Sequence, residues 1–87
     1  MEITNISVQK NEKEDPRVLG YATIVFDDCL KINGIKIING NTKIYASMPH
    51  KKLQNGTYKD FVHPITKEFR DIIDNRVKEE YEKLKEE

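Results

Sequence analysis

Val18-Leu19-Gly20-Tyr21-Ala22-Thr23-Ile24-Val25-Phe26, then Asp27-Asp28, then Cys29-Leu30-Lys31-Ile32-Asn33-Gly34-Ile35-Lys36-Ile37-Ile38, is the stretch that decides the fold. In the first run Leu19, Tyr21, Thr23 and Val25 point one way along an extended chain, and Ala22, Ile24 and Phe26 the other. Both sets are largely apolar, which predicts a central strand covered on both faces. Asp27-Asp28 supplies turn residues. The second run alternates through Leu30 and Ile32, then through Ile35 and Ile37, so its parity changes at Asn33-Gly34. Asn-Gly suits a type I′ hairpin, and it also suits a bulge in one long strand. The bulge is favoured, because a hairpin would leave arms of about four residues where strands usually run about five or six.

Upstream, residues 3–9 alternate, with Thr4, Ile6 and Val8 on one face, and read as a first strand. Residues 11–16 are polar, end in Pro16 and read as a loop. Downstream, Asn39-Gly40-Asn41 marks a turn, residues 42–48 a strand ended by Pro49, Asn55-Gly56 another turn, and residues 57–62 a last strand closed by Pro64. From Thr66 the period changes. Phe69, Ile72, Ile73, Val77, Tyr81 and Leu84 recur at steps of three and four, one apolar helical stripe. Thr66 suits the N-cap, and Glu68 in the first turn complements the helix dipole. The expectation is an α+β fold: an antiparallel, strand-rich body of about five strands over residues 2–63, a C-terminal amphipathic helix over 66–84 on one sheet face, and a short charged tail to 87.

The chain has 87 residues, enough for one domain over 1–87. A domain of this size buries roughly 60–65% of its unfolded surface, so the core is thin and a subunit interface would extend it. Fifteen basic and fifteen acidic residues leave no net charge, so the global basic footprint of a nucleic-acid binder is absent. Cys29 is the only cysteine, which permits no internal disulfide and fits a reducing compartment. The first residues form no signal peptide, and no apolar run approaches the roughly 20 residues that span a bilayer. The expected location is the cytoplasm.

Catalytic patterns are weak. Asp27 and Asp28 are adjacent and point apart, as a solvated turn would have them. Cys29, His50 and His63 match no zinc spacing, and nothing orients Cys29 and His63 as a nucleophile and base. The four glycines are scattered singly, so no phosphate loop is present. Ser7 and Ser47 lie in strand patterns without a nucleophile motif.

Charge distribution says more. Residues 1–49 carry six basic and six acidic side chains. Residues 50–70 carry Lys51, Lys52, Lys59, Lys67 and Arg70 against Asp60 and Glu68, a net of +3, and residues 71–87 balance this with −3. His50, His63, Tyr58 and Phe61 share the basic segment, although Phe61 reads as core. Cations beside planar rings suit phosphate binding with base stacking. Lys67 and Arg70 fall in the first helical turn, where free backbone N–H groups also favour phosphate. A solvated loop explains Lys51 and Lys52 without any ligand.

Four pieces in order, Phe26-Asp27-Asp28, then Ile35-Lys36-Ile37-Ile38-Asn39-Gly40-Asn41, then Ala46-Ser47-Met48-Pro49-His50-Lys51-Lys52, then Asn55-Gly56-Thr57-Tyr58-Lys59-Asp60-Phe61-Val62-His63-Pro64-Ile65, together resemble the stage V sporulation protein G (SpoVG) family. The likeness runs from Met1 to about Tyr81. It implies a bacterial regulator of gene expression, septation and sporulation that binds DNA and RNA as a homodimer, with no enzymatic activity and no cofactor. It places nucleic-acid contacts at Lys51, Lys52, Lys59 and Arg70. His50 and Lys67 join them on physical grounds alone. The chain departs from the family in three ways. Its first strand is poorer in cations, with Ser7-Val8-Gln9 before Lys10, its loop over 11–16 is longer and more acidic, and its acidic C-terminal extension is short. Fewer cations on the first strand mean fewer phosphates neutralised, and so weaker binding. A reading of another class is a protein-interaction adaptor in cell-division or developmental control, its mixed-charge tail over 76–87 engaging a partner without touching nucleic acid.

Overall fold

The computed structural model describes residues 1–13 and 15–85. Glu14 of the loop over 11–16 and the tail residues Glu86 and Glu87 lie outside the described residues. Strands β1 (Ile3–Lys10), β2 (Val18–Phe26), β3 (Leu30–Asn39) and β4 (Ile44–Ser47) form one antiparallel sheet in the order β1-β2-β3-β4. Strands β5 (His50–Lys52) and β6 (Tyr58–Asp60) pair as a separate two-stranded ribbon, and α1 (Lys67–Lys85) follows. The architecture is the expected antiparallel α+β with a C-terminal helix. It has six strands among the described residues rather than about five, because His50-Lys51-Lys52, a charged run too short to show alternation, is itself a strand.

Register shifts explain where side-chain parity departs from simple alternation. Between β2 and β3, Ala22 faces Ile35 and Ile24 faces Ile32, so Asn33 and Gly34 together oppose Thr23. This is the bulge expected at Asn33-Gly34, with Gly34 at a φ of 75° that glycine adopts without strain. It keeps Ile32, Ile35 and Ile37 on the core side. A second shift lies between Val18 and Gly20, and the extra residue, Leu19, packs against the core instead of following Tyr21 outward. A third lies in β1, where Ile3 faces Phe26 and Asn5 faces Val25. It removes Thr4 from the inward row, so Ile3, Ile6 and Val8 make that row. The Thr4 hydroxyl instead donates to the Val25 carbonyl (3.3 Å) and accepts from the Asp28 N–H (3.0 Å).

The core lies between the sheet and α1. Ala22, Ile24, Phe26, Ile35, Ile37, Ala46 and Met48 meet Ile73, Val77 and Tyr81, with Phe69 tilted against Phe26 at 5.7 Å between ring centres. Full burial of each large side chain contributes about 1.5–3 kcal/mol. The helix begins as its sequence indicates: the Phe69 N–H donates to the Thr66 hydroxyl at 3.2 Å, an N-cap bond. Two expectations fail here. Ile72, one residue from the centre of the stripe, is 49% exposed, because the stripe is narrower than the row of apolar residues. β2 is covered on one face only, since α1 packs on the core side and Tyr21 on the other side is exposed.

β4 ends the sheet, so its outer backbone groups lack a strand partner. Two helix side chains replace it. Asp74 accepts the Ala46 N–H at 3.0 Å, and Arg70 donates to the Ala46 carbonyl at 3.1 Å. Residues four apart share a helix face, so Arg70 and Asp74 reach the two groups of one strand residue. This is how the exposed edge is blunted and how the helix is keyed to the sheet.

Candidate nucleic-acid interface

The basic segment is divided by the fold. The Pro49 carbonyl accepts the Phe61 N–H (2.8 Å), and the Thr57 carbonyl accepts the Leu53 N–H (2.7 Å), so the chain doubles back around Asn55-Gly56 into the β5–β6 ribbon. Gly56 takes a φ of 88° and the Asn55 side chain accepts from the Thr57 N–H (3.1 Å), which makes the turn as expected. Cross-strand partners are His50 with Asp60, Lys51 with Lys59, and Lys52 with Tyr58. Lys51 and Lys59 therefore stand on one face, and His50, Lys52, Tyr58 and Asp60 on the other.

All three lysines are exposed and form no ion pair among the described residues. Two like charges directly opposite each other weaken a ladder, here one of only three pairs. His50 donates from Nδ1 to the Met48 carbonyl at 2.9 Å, which sets the ring, and stands edge-on to Tyr58 at 5.4 Å.

The other two positions of interest lie on α1, away from the ribbon strands. Arg70 is half-buried and bonded to β4. Lys67 is exposed and 3.8 Å from Asp71 one turn on. The fold thus gathers His50, Lys51, Lys52 and Lys59 on one ribbon and leaves Lys67 and Arg70 on the helix. Phe61, expected in the core, is 68% exposed, because the ribbon ends at Asp60 and does not join the main sheet.

Sequence inspection misses two cations. Arg17 before β2 and Lys36 in β3 meet His50 and Tyr58 around one cleft of about 480 Å³ on the sheet face away from α1, with Tyr45 beside them. Lys36 alternates with the buried Ile35 and Ile37, which signals an outward cation, but nothing local ties it to a ribbon about fourteen residues later. A second groove, about 240 Å³ and apolar, is lined by Met1, Leu30, Ile32, Val62, His63 and Ile65 among others. Cys29 is exposed in the β2–β3 turn rather than in a strand, and does not line the groove that His63 lines. Among the described residues no three His, Cys, Asp or Glu side chains are grouped to hold a metal, and no helix is long and apolar enough to cross a membrane.

Comparison with known proteins covers this whole arrangement. The model of the SpoVG family matches residues 1–83. A protein of Treponema denticola is 43% identical over 83 residues, spanning 95% of this chain and 88% of the relative. One of Borrelia hermsii is 36% identical over 85 residues with the same coverage, and one of Fusobacterium nucleatum is 39% identical over 83 residues, 93% of this chain and 88% of its own. All three carry the name "Putative septation protein SpoVG". With sheet, ribbon and nearly all of the helix inside the matched span, the chain belongs to the SpoVG family.

Proposed function

We propose that this protein is a nucleic-acid-binding regulator of gene expression, acting as a cytoplasmic homodimer in the septation and sporulation control that the family name denotes. The observation that carries the reading is the Lys51–Lys59 pair. Two exposed lysines face each other across a three-residue strand pair with no acidic partner among the described residues. Such a pair lowers the stability of the ribbon, and a phosphate oxygen between the ammonium groups offsets that loss. Lys52 adds a cation to the ribbon's other face, which also carries His50 and Asp60. No helix among the described residues is free to enter a major groove, since α1 is keyed into the sheet by Arg70 and Asp74, so phosphate binding outweighs base readout. The homodimer is supported by apolar groups at the surface: Leu30, Phe61 and Ile65 are exposed, Ile65 by 89%. Two copies would double the local charge.

The test is a titration against DNA and RNA at several salt concentrations. Lys51→Ala with Lys52→Ala should weaken binding and flatten the slope of log K against log salt by about 0.7–0.9 for each phosphate no longer neutralised. An unchanged slope removes the ribbon from the interface. The adaptor reading relies on the charges of the C-terminal helix. Arg76 pairs with Glu79 and Glu80, Lys78 with Glu82, and Lys83 with Glu80. These charges largely answer one another, which favours the ribbon as the electrostatic surface. A partner captured after nuclease treatment, and equally by the Lys51/Lys52 variant, would reverse that preference.

A further inference from the structure

The cleft between the ribbon and the outer sheet face has the chemistry of a site for one unpaired nucleotide. Its wall is the His50–Tyr58 ring pair, held edge to face at an interplanar angle of 80°. Edge-on packing leaves ring faces uncovered, and Tyr58 is 65% exposed. Tyr45 lines the cleft as well. It sits in a rung of the sheet, opposite Ile38, which in turn faces Val18. Arg17 and Lys36 also line the cleft, both exposed and without an ion pair among the described residues. Aromatic faces beside unpaired cations are what a base and its phosphate require. The volume, about 480 Å³, falls within the range of small-molecule sites.

Resting on the nucleic-acid reading above, we infer that Tyr45, His50 and Tyr58 accept an unpaired base in this cleft, with Arg17 and Lys36 on its phosphates, so that the protein prefers single-stranded to duplex nucleic acid. A duplex keeps its bases in its own stack and offers none to the rings. Lys52 shares the ribbon face of His50 and Tyr58, with Asp60 across from His50, so Lys52 is the cation of that face outside the cleft. Asp15 is the one acid among the residues lining the cleft, its carboxylate taken by the Arg17 backbone N–H at 2.9 Å.

The experiment uses the full chain, a short DNA strand carrying 2-aminopurine, and the matching duplex. Binding of the strand should quench the 2-aminopurine. Tyr58→Ala should abolish the quench and weaken strand binding roughly tenfold, the scale of one base stacked on one ring, with duplex binding nearly unchanged. Tyr58→Phe should restore both. Lys36→Ala should weaken strand binding, and Asp15→Asn, which keeps its acceptor oxygen, should strengthen it. If Tyr58→Ala and Lys36→Ala bind and quench like the parent while Lys51→Ala with Lys52→Ala weakens binding, the cleft is not the site and the ribbon remains so. If the parent binds neither strand nor duplex at low salt, the nucleic-acid reading falls, and the cleft inference with it.

Discussion

At the scale of single residues, Asp74 and the Asp27-Asp28 pair show how polar groups are used here. Asp74 is buried at 5% exposure, takes the Ala46 N–H, and lies 3.8 Å from Lys43. Asp74→Ala leaves that N–H without a partner in the protein and should lower stability by about 1–3 kcal/mol in urea unfolding. Asp74→Asn, which keeps an acceptor oxygen, should cost less. Arg70 holds the other group of Ala46, so Arg70→Ala should reduce stability as well as any binding, whereas Lys67→Ala should leave stability nearly unchanged. Asp27 and Asp28 both adopt positive φ, 51° and 54°. The Asp27 carboxylate accepts the Glu2 N–H at 2.7 Å, which ties the start of β1 to the turn, while Asp28 uses its backbone N–H, donated to Thr4. Asp28→Gly relieves the left-handed strain of about 1 kcal/mol and gives back part of it as chain entropy. A rise in melting temperature of a few degrees is expected, read by circular dichroism.

At the scale of elements, the ribbon and the main sheet obey different constraints. β2 and β3 are long, paired on both sides and pinned by the core. At Gly20 a Cβ would run into the Gln9 carbonyl of β1, so Gly20→Ala should cost about 1–3 kcal/mol by overpacking. The ribbon has three pairs, one of them between lysines. Lys59→Glu converts that pair to opposite charges and should stabilise the ribbon by about 0.2–1 kcal/mol, seen as slower amide exchange at its few ladder hydrogen bonds. The same substitution should weaken nucleic-acid binding. Binding that strengthens with the ribbon would mean that Lys59 touches no phosphate.

At the scale of the whole molecule, the two faces of the sheet have separate tasks. One is filled by α1 and holds the core. The other carries Tyr21, Tyr45 and Lys36 outward, bordered by the ribbon. The apolar groove at Met1, Leu30 and Ile65 is distinct from the cation-lined cleft. The proposed homodimer, joined at the groove, would leave the cleft open on each copy. Ile65→Lys, at a position 89% exposed, should leave the fold intact and shift sedimentation from dimer to monomer. A dimer mass unchanged by it would place the interface elsewhere.

The amino-acid sequence by itself determined the class of fold. Alternation in Val18–Phe26, the parity change at Asn33-Gly34 and the three-and-four spacing from Phe69 are local signals, because strand and helix periods are set by the backbone a few residues at a time. The ordered pieces from Phe26-Asp27-Asp28 to His63-Pro64-Ile65 also sufficed for the family. Only the tertiary structure decided which face each side chain serves and which charges are free. Thr4 and Leu19 change sides at bulges whose existence depends on the neighbouring strand. Arg70 looks like a solvent-facing cation until the edge of β4 takes one of its donors, and Ile72 and Phe61 look like core until the helix stripe proves narrower than its apolar row and the ribbon stays outside the main sheet. Arg17, Lys36 and Tyr58 come together only because the sheet and ribbon fold toward each other. Hydrogen bonding at a sheet edge, strand register and burial are long-range quantities, and a cleft lined by β3, β4, both ribbon strands and the segment before β2 is written in them rather than in any one stretch of the chain.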